Sequence, residues 1–134
     1  MSMIQWNESL SVGVKEIDEQ HQSLVEMINS LYEAMKGKED KDFIKSLVTK
    51  LKNYAIYHFD TEENYMQKHQ YIAFADHKAK HKDFCIKVFE IENSIKSSQN
   101  SVSMEILNFL TDWLINHINS TDKKMGEFLK TVEI

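Results

Sequence analysis

Seven side chains of metal-binding type stand at or near positions of this chain where an apolar residue would be expected. His21 interrupts the series Ile17, His21, Leu24, Ile28, Leu31, Met35. His58 and Glu62 interrupt Ile44, Leu47, Leu51, Tyr54, His58, Glu62, Tyr65. His77 and His81 open Phe74, His77, His81, Phe84, Val88, Ile91, Ile95, and His117 closes Ile106, Leu110, Trp113, His117, with Asp122 and Met125 beyond. Helical residues spaced by three and four share one face, so five of the six histidines and two carboxylates are expected to be buried together. The chemistry this suggests is chelation. His58 with Glu62 and His77 with His81 are i, i+4 pairs, which place donor atoms one above the other on a helix. A lone histidine on an apolar face is usually a hydrogen-bonded core residue, but burying seven such groups without a partner would cost at least several kcal/mol. Imidazole-rich sites suit Zn, Cu, Fe or Ni. Seven donors exceed the four that a zinc normally takes, which points to a dinuclear centre.

The elements that would position these residues are four antiparallel helices. Residues on neighbouring antiparallel helices are level when they lie equally far from the connecting turn. His21 and His58 are equidistant from a turn at Glu39 and Asp40, just past Gly37. Glu62 with His77, and His58 with His81, are equidistant from a turn at His69 and Gln70. His81 and His117 are equidistant from Gln99, inside the polar run Ser97, Ser98, Gln99, Asn100, Ser101. Each turn falls where the sequence independently reads as a loop, so the seven residues are expected to form one layer. The predicted elements are an irregular arm over 1–17 with Trp6 as an apolar anchor, a first helix with Asp18 as N-cap that stops at Gly37, and a second from Asp40 or Asp42 to Lys68. A third covers 72–97, and a fourth starts at Asn100 or Ser101. His69 falls in a turn and is expected to be solvent exposed.

The fourth stripe contains a phase error. Asp122 lies five residues after His117, about 140° around an ideal helix. Either a π-bulge or a helix break at Asn119, Ser120, Thr121 would turn it inward; taken alone, Asp122 reads as the cap of a C-terminal helix.

Composition agrees with an all-α reading. The chain has 134 residues, no proline and three glycines, which suits one domain over 1–134 built from long helices. A net charge of −5 argues against nucleic acid, whose binding rests on clustered Lys and Arg; Lys78, Lys80, Lys82 and Lys87 read as a solvated face. No segment reaches the length of a bilayer span and no leader is evident, so no membrane association and a cytoplasmic location are expected. Cys85, alone, excludes an internal disulfide and reads as a small buried hydrophobe rather than a ligand.

The motifs together resemble the hemerythrin family, particularly its single-domain bacterial form. They are His21 closing Ile17-Asp-Glu-Gln-His21, HxxxE from His58 to Glu62, HxxxH from His77 to His81, and HxxxxD from His117 to Asp122. Each is weak alone, but four in order at these separations are highly specific, and the resemblance covers nearly the whole chain. It implies an up-down-up-down antiparallel four-helix bundle holding two iron ions bridged by an oxo or hydroxo group, with O2 as ligand. His77, His81 and His117 would ligate one iron, His21 and His58 the other, and Glu62 and Asp122 would bridge both. One position then remains open, on the iron with two histidines, and O2 would bind there end-on. Residues beside the ligands, Leu24, Phe59, Trp113, Leu114 and Ile118, would form an apolar pocket over it; their plainer role is core packing.

The function expected is therefore an O2 carrier, store or delivery protein and not an enzyme. Ferritin-like di-iron enzymes use Glu and Glu-x-x-His ligands, whereas neutral imidazoles dominate here and give less support to higher-valent iron. The alternatives are a di-iron enzyme acting on peroxide or nitric oxide and an O2-sensing module; a sensor would usually need an attached output domain. No protein partner is indicated, and a monomer is compatible with this reading.

Overall fold

The computed structural model describes residues 4–96 and 104–132, and its regular structure is entirely helical. Helix α1 spans Lys15–Lys36, α2 Lys41–Lys68, α3 Phe74–Lys96 and α4 Met104–Asn116; a π-helical turn, His117–Asp122, joins α4 to α5, Lys123–Leu129. α1 packs on α2, α2 on α3, and α1 on α4. The fourth arm of the bundle is thus α4, the π turn and α5 in series. The predicted start of the fourth helix and the turn at Gln99 lie outside the described residues.

The apolar stripes become the core. Ile17, Leu24, Ile28 and Leu31 of α1, Ile44 and Leu51 of α2, Phe84, Val88 and Ile91 of α3, and Leu110, Leu114, Met125 and Leu129 of the last arm are buried. Met35, Leu47, Tyr54, Tyr65, Phe74 and Trp113 pack against them half-buried. Each stripe excludes its own helix face from water, which stabilises these helices more than intrinsic propensity does.

The helix ends follow local chemistry. The Asp40 side chain accepts the Phe43 N–H at 2.9 Å and starts α2. α1 and α2 both end in the same six-residue reversal: Glu39 N–H donates to the Ala34 carbonyl at 3.0 Å, and Tyr71 N–H to that of Met66 at 2.9 Å. The left-handed residue is Lys38 (φ 55°) in one and Gln70 (φ 56°) in the other, while Gly37 stays right-handed. This tight reversal folds the second turn onto the end of α2, so His69 is half-buried and its Nε2 is out of solvent rather than exposed as predicted.

Asp18 is not the cap of α1. The helix begins a turn earlier, after Val14, and the Asp18 carboxylate instead takes hydrogen bonds from Ser11 Oγ at 2.5 Å and Val12 N at 2.8 Å. It thereby ties the N-terminal arm to α1. The Asn29 side-chain amide accepts the Ile4 N–H at 2.9 Å and donates to the Ile4 carbonyl at 2.8 Å, Lys123 donates to the Ser9 carbonyl, and Leu10, Val12 and Val14 are buried. Trp6 packs against the core half-buried, as the sequence suggested. Gly126 is needed because the Val12 carbonyl passes where its Cβ would be.

Candidate metal centre

All seven predicted residues meet inside the bundle. Among the described residues the buried polar side chains are Gln20, His21, His58, Glu62, His77, His81, Glu92, His117 and Asp122. Glu92 stands apart, bound by Lys52 Nζ at 2.9 Å and Thr49 Oγ1 at 2.6 Å. The rest form one cluster, one residue of which, Gln20, was missed in the sequence.

The donor atoms divide into two groups. Glu62 Oε1 lies 3.2 Å from His77 Nε2 and 3.0 Å from His81 Nε2, and Asp122 Oδ1 lies 2.9 Å from His77 Nε2 and 3.0 Å from His117 Nε2. The other oxygen of each carboxylate faces the other way: Glu62 Oε2 is 3.2 Å from His21 Nε2 and 2.9 Å from His58 Nε2, and Asp122 Oδ2 is 3.0 Å from His21 Nε2. Glu62, His77, His81, His117 and Asp122 thus form one group able to hold a metal, and His21, His58, Glu62 and Asp122 a second. Both carboxylates belong to both.

The π turn decides the position of Asp122. By widening the helix at His117–Asp122 it absorbs one extra residue, so that His117 and Asp122 face the same point and Met125 and Leu129 return to the core. Asp122 continues the helix in right-handed geometry and makes no side-chain cap bond, which excludes the capping alternative.

These contacts do not make a satisfied hydrogen-bond cluster. Both Asp122 oxygens are fully buried with imidazole nitrogens near 3 Å, yet neither receives a hydrogen bond, and Nδ1 of His21 and His77 are also buried without a partner. His81 Nε2 and His117 Nε2 stand 3.1 Å apart. Donors that converge on shared points, and not on each other, are what a cation requires. The donor atoms of each group lie close enough together to share one ion, so the residues fit a bound cation in each group.

Electrostatics support the same view. Burial opposes charge on His21, but the carboxylates of Asp122 and Glu62 close beside its ring outweigh it and push its pKa up to about 10; the same balance pushes His77 up to about 9. Burial would raise Glu62, yet the His58 charge and bonds from His21, His58 and His77 hold it well below the usual carboxylate range. Burial and the Glu62 charge would raise Asp122, but His117 and His21 hold it down as well. Burial lowers His117.

Two of the expected pocket residues, Phe59 and Trp113, stack on ligand rings, and the other three are buried in the core. Leu24, Phe59, Leu114 and Ile118 are buried and Trp113 is half-buried. Phe59 lies flat on His81, with ring centroids 3.9 Å apart, and Trp113 on His117 at 4.4 Å. Two outer partners escaped the sequence reading. Gln20 Oε1 is 2.7 Å from His58 Nδ1, and Glu63 Oε2 is 3.0 Å from His81 Nδ1. The only signal was adjacency, since each flanks a ligand in sequence. Cys85 joins neither donor group; it is half-buried, not buried, on a groove of about 430 Å³ between α2 and α3. No helix among the described residues is long and apolar enough to cross a membrane.

A family model described as the hemerythrin HHE cation binding domain matches residues 12–129. The chain is 34% identical over 122 residues to bacteriohemerythrin of Pseudomonas aeruginosa, covering 91% of this chain and 78% of that protein. Against bacteriohemerythrin of Clostridium acetobutylicum it is 32% identical, covering 91% and 98%. Among solved structures, a wild-type hemerythrin superimposes with a TM-score of 0.89 at 29% identity, covering 96% of this chain and 98% of that one.

Proposed function

Because the chain belongs to the hemerythrin family, we propose that it binds O2 reversibly at a pair of non-heme iron ions, as a carrier, store or delivery protein and not as an enzyme. His77, His81 and His117 would hold one ion and His21 and His58 the other, with Glu62 and Asp122 shared between them and an oxo or hydroxo group completing the centre. The observation that carries this reading is the division of both carboxylates, one oxygen toward each imidazole group. When bound, the two ferrous ions supply the electrons through which O2 is held, one from each, with no external reductant.

The chain's own residues do the rest. Five imidazoles and two carboxylates present a fixed, buried set of donors, so little reorganisation is needed to receive the metal. Leu24 lies C-terminal to His21 on α1 and Leu114 lies N-terminal to His117 on α4. On antiparallel helices both are displaced toward one end of the bundle, whereas Glu62 and Asp122 are displaced toward the other. Leu24, Trp113 and Leu114 therefore stand toward the side of the layer opposite the carboxylates, and with Phe59 and Ile118, which flank His58 and His117 in sequence, they would exclude water and protons from the ligand. A single domain over 1–134 and a cytoplasmic location, in keeping with one free thiol, belong to the same proposal, as does a monomer.

Metal analysis of protein purified from iron-replete cells is expected to find two irons per chain, and one zinc per chain would overturn the assignment. Anaerobic ferrous protein is then exposed to O2 and purged. Spectral reversal is expected; irreversible oxidation or turnover would favour a di-iron enzyme. His69→Ala is expected to leave the iron content unchanged.

A further inference from the structure

The two donor groups are supported from outside by different chemistry. His81, of the three-histidine group, has its outward Nδ1 3.0 Å from the carboxylate of Glu63. His58, of the two-histidine group, has its Nδ1 2.7 Å from the amide oxygen of Gln20, which is itself buried and bonded through Nε2 to Thr61 Oγ1 at 3.3 Å. Each partner comes from the helix next to the histidine it serves: Glu63 from α2 to α3, Gln20 from α1 to α2. A neutral imidazole carries one proton, so an acceptor on Nδ1 keeps that proton outward and leaves the Nε2 lone pair facing the cluster. Both acceptors can do this. They differ in charge, because a carboxylate draws the Nδ1 proton more strongly than an amide oxygen does and makes the imidazole a stronger electron donor to whatever Nε2 holds.

We propose that Glu63 and Gln20 are positioning residues that make the two metal positions electronically unequal, the anion on His81 favouring the ferric state at the three-histidine ion and the neutral amide on His58 withholding that support from the two-histidine ion. This rests on the di-iron reading above. It has a functional consequence: the ion expected to take O2 is the less electron-rich of the two, which favours release of the bound O2 over irreversible oxidation. Glu63 also lines the α2/α3 groove together with Asp60, Lys78 and Lys82, so the charge acting on His81 sits where solvent reaches it.

The test uses two isosteric exchanges of opposite sign, Glu63→Gln and Gln20→Glu, with Asp60→Asn as a control that removes a charge from the same groove at a residue with no hydrogen bond or ion pair to a ligand among the described residues. Iron content is measured first. Fewer than two irons in the unaltered protein would defeat the parent reading and not this one. With the unaltered protein loaded, midpoint potentials are measured by spectroelectrochemistry. Glu63→Gln, which keeps an acceptor in place, is expected to hold its iron and shift the ferric-to-ferrous balance about tenfold toward ferrous, or about 59 mV for one electron. Gln20→Glu is expected to shift it the other way, and Asp60→Asn to shift it much less. A purely structural role would leave the potentials of the loaded variants unchanged. Unmoved potentials in Glu63→Gln or Gln20→Glu, or an equal shift in Asp60→Asn, would overturn the proposal. If Glu63→Gln loses its iron, that result also counts against it, because the retained acceptor should have been sufficient to hold His81.

Discussion

Deleting Asn119 should leave the metal centre intact, whereas inserting one alanine after Asn119 should destroy it. His117 and Asp122 are five residues apart, which on an ideal α-helix separates them by about 140°, while four residues separate them by about 40°. In the π turn, Asp122 Oδ1 nonetheless lies 3.0 Å from His117 Nε2. The extra residue is absorbed on the outer side, where Asn119 and Ser120 are exposed. Deletion restores ordinary helical spacing with Asp122, Met125 and Leu129 on their present face. Insertion moves all three off it. Met125 and Leu129 are both fully buried, and displacing two such side chains at roughly 2 to 5 kcal/mol each consumes most of the roughly 5 to 15 kcal/mol that stabilises a domain. Iron content by mass spectrometry and thermal unfolding decide the matter. A deletion variant that folds but loses its iron, or an insertion variant that keeps both iron and stability, would show that the π turn does not set the register of Asp122.

Leu114→Ala should cost roughly 2 to 5 kcal/mol as a buried truncation yet keep its iron and autoxidise faster; an unchanged or slower decay of the oxygenated spectrum under air would assign the pocket to the wrong face. Gly126→Ala should lower the unfolding free energy by about 1 to 3 kcal/mol, read from denaturant titration, although the same change at an open helical site stabilises by about 1 kcal/mol, because the new Cβ meets the Val12 carbonyl; a stabilised variant would refute the close approach. Metal-free protein should be most stable in mildly acid solution. His21 and His77, raised to about 10 and about 9 from 6.5, contribute stability that is full below pH 6.5 and is lost as pH climbs through 9 to 10, while the depressed Glu62 and Asp122 contribute stability that is lost as pH falls below the usual carboxylate range. Melting temperature against pH tests this, and loading with iron should abolish the alkaline loss and release protons at pH 7. Asp122→Ala should lose both irons, read by the same metal analysis.

The sequence by itself determined the helices, their order and the seven inward polar residues. Periodicity is a local property, and a histidine at a stripe position such as His81 must be buried wherever its helix packs. It also determined the level of the layer, because helical rise is constant and the turns after Gly37 and at Gln70 stand out as breaks. Four features required the tertiary structure. Whether Asp122 turned inward by a π turn or a break depended on Met125 and Leu129 having a core to return to, which residues 117–122 alone do not specify. The start of α1 at Lys15, and the use of Asp18 as a tie for Ser11 and Val12, depended on where the arm crosses the bundle. His69 became half-buried because Gln70 accepts a left-handed conformation and folds the turn back. Gln20 and Glu63 gained their roles only when neighbouring helices brought them to His58 and His81. Adjacent residues on a helix point about 100° apart, so a residue beside a ligand serves a histidine only on whichever helix packs at its side, and that choice is made between helices.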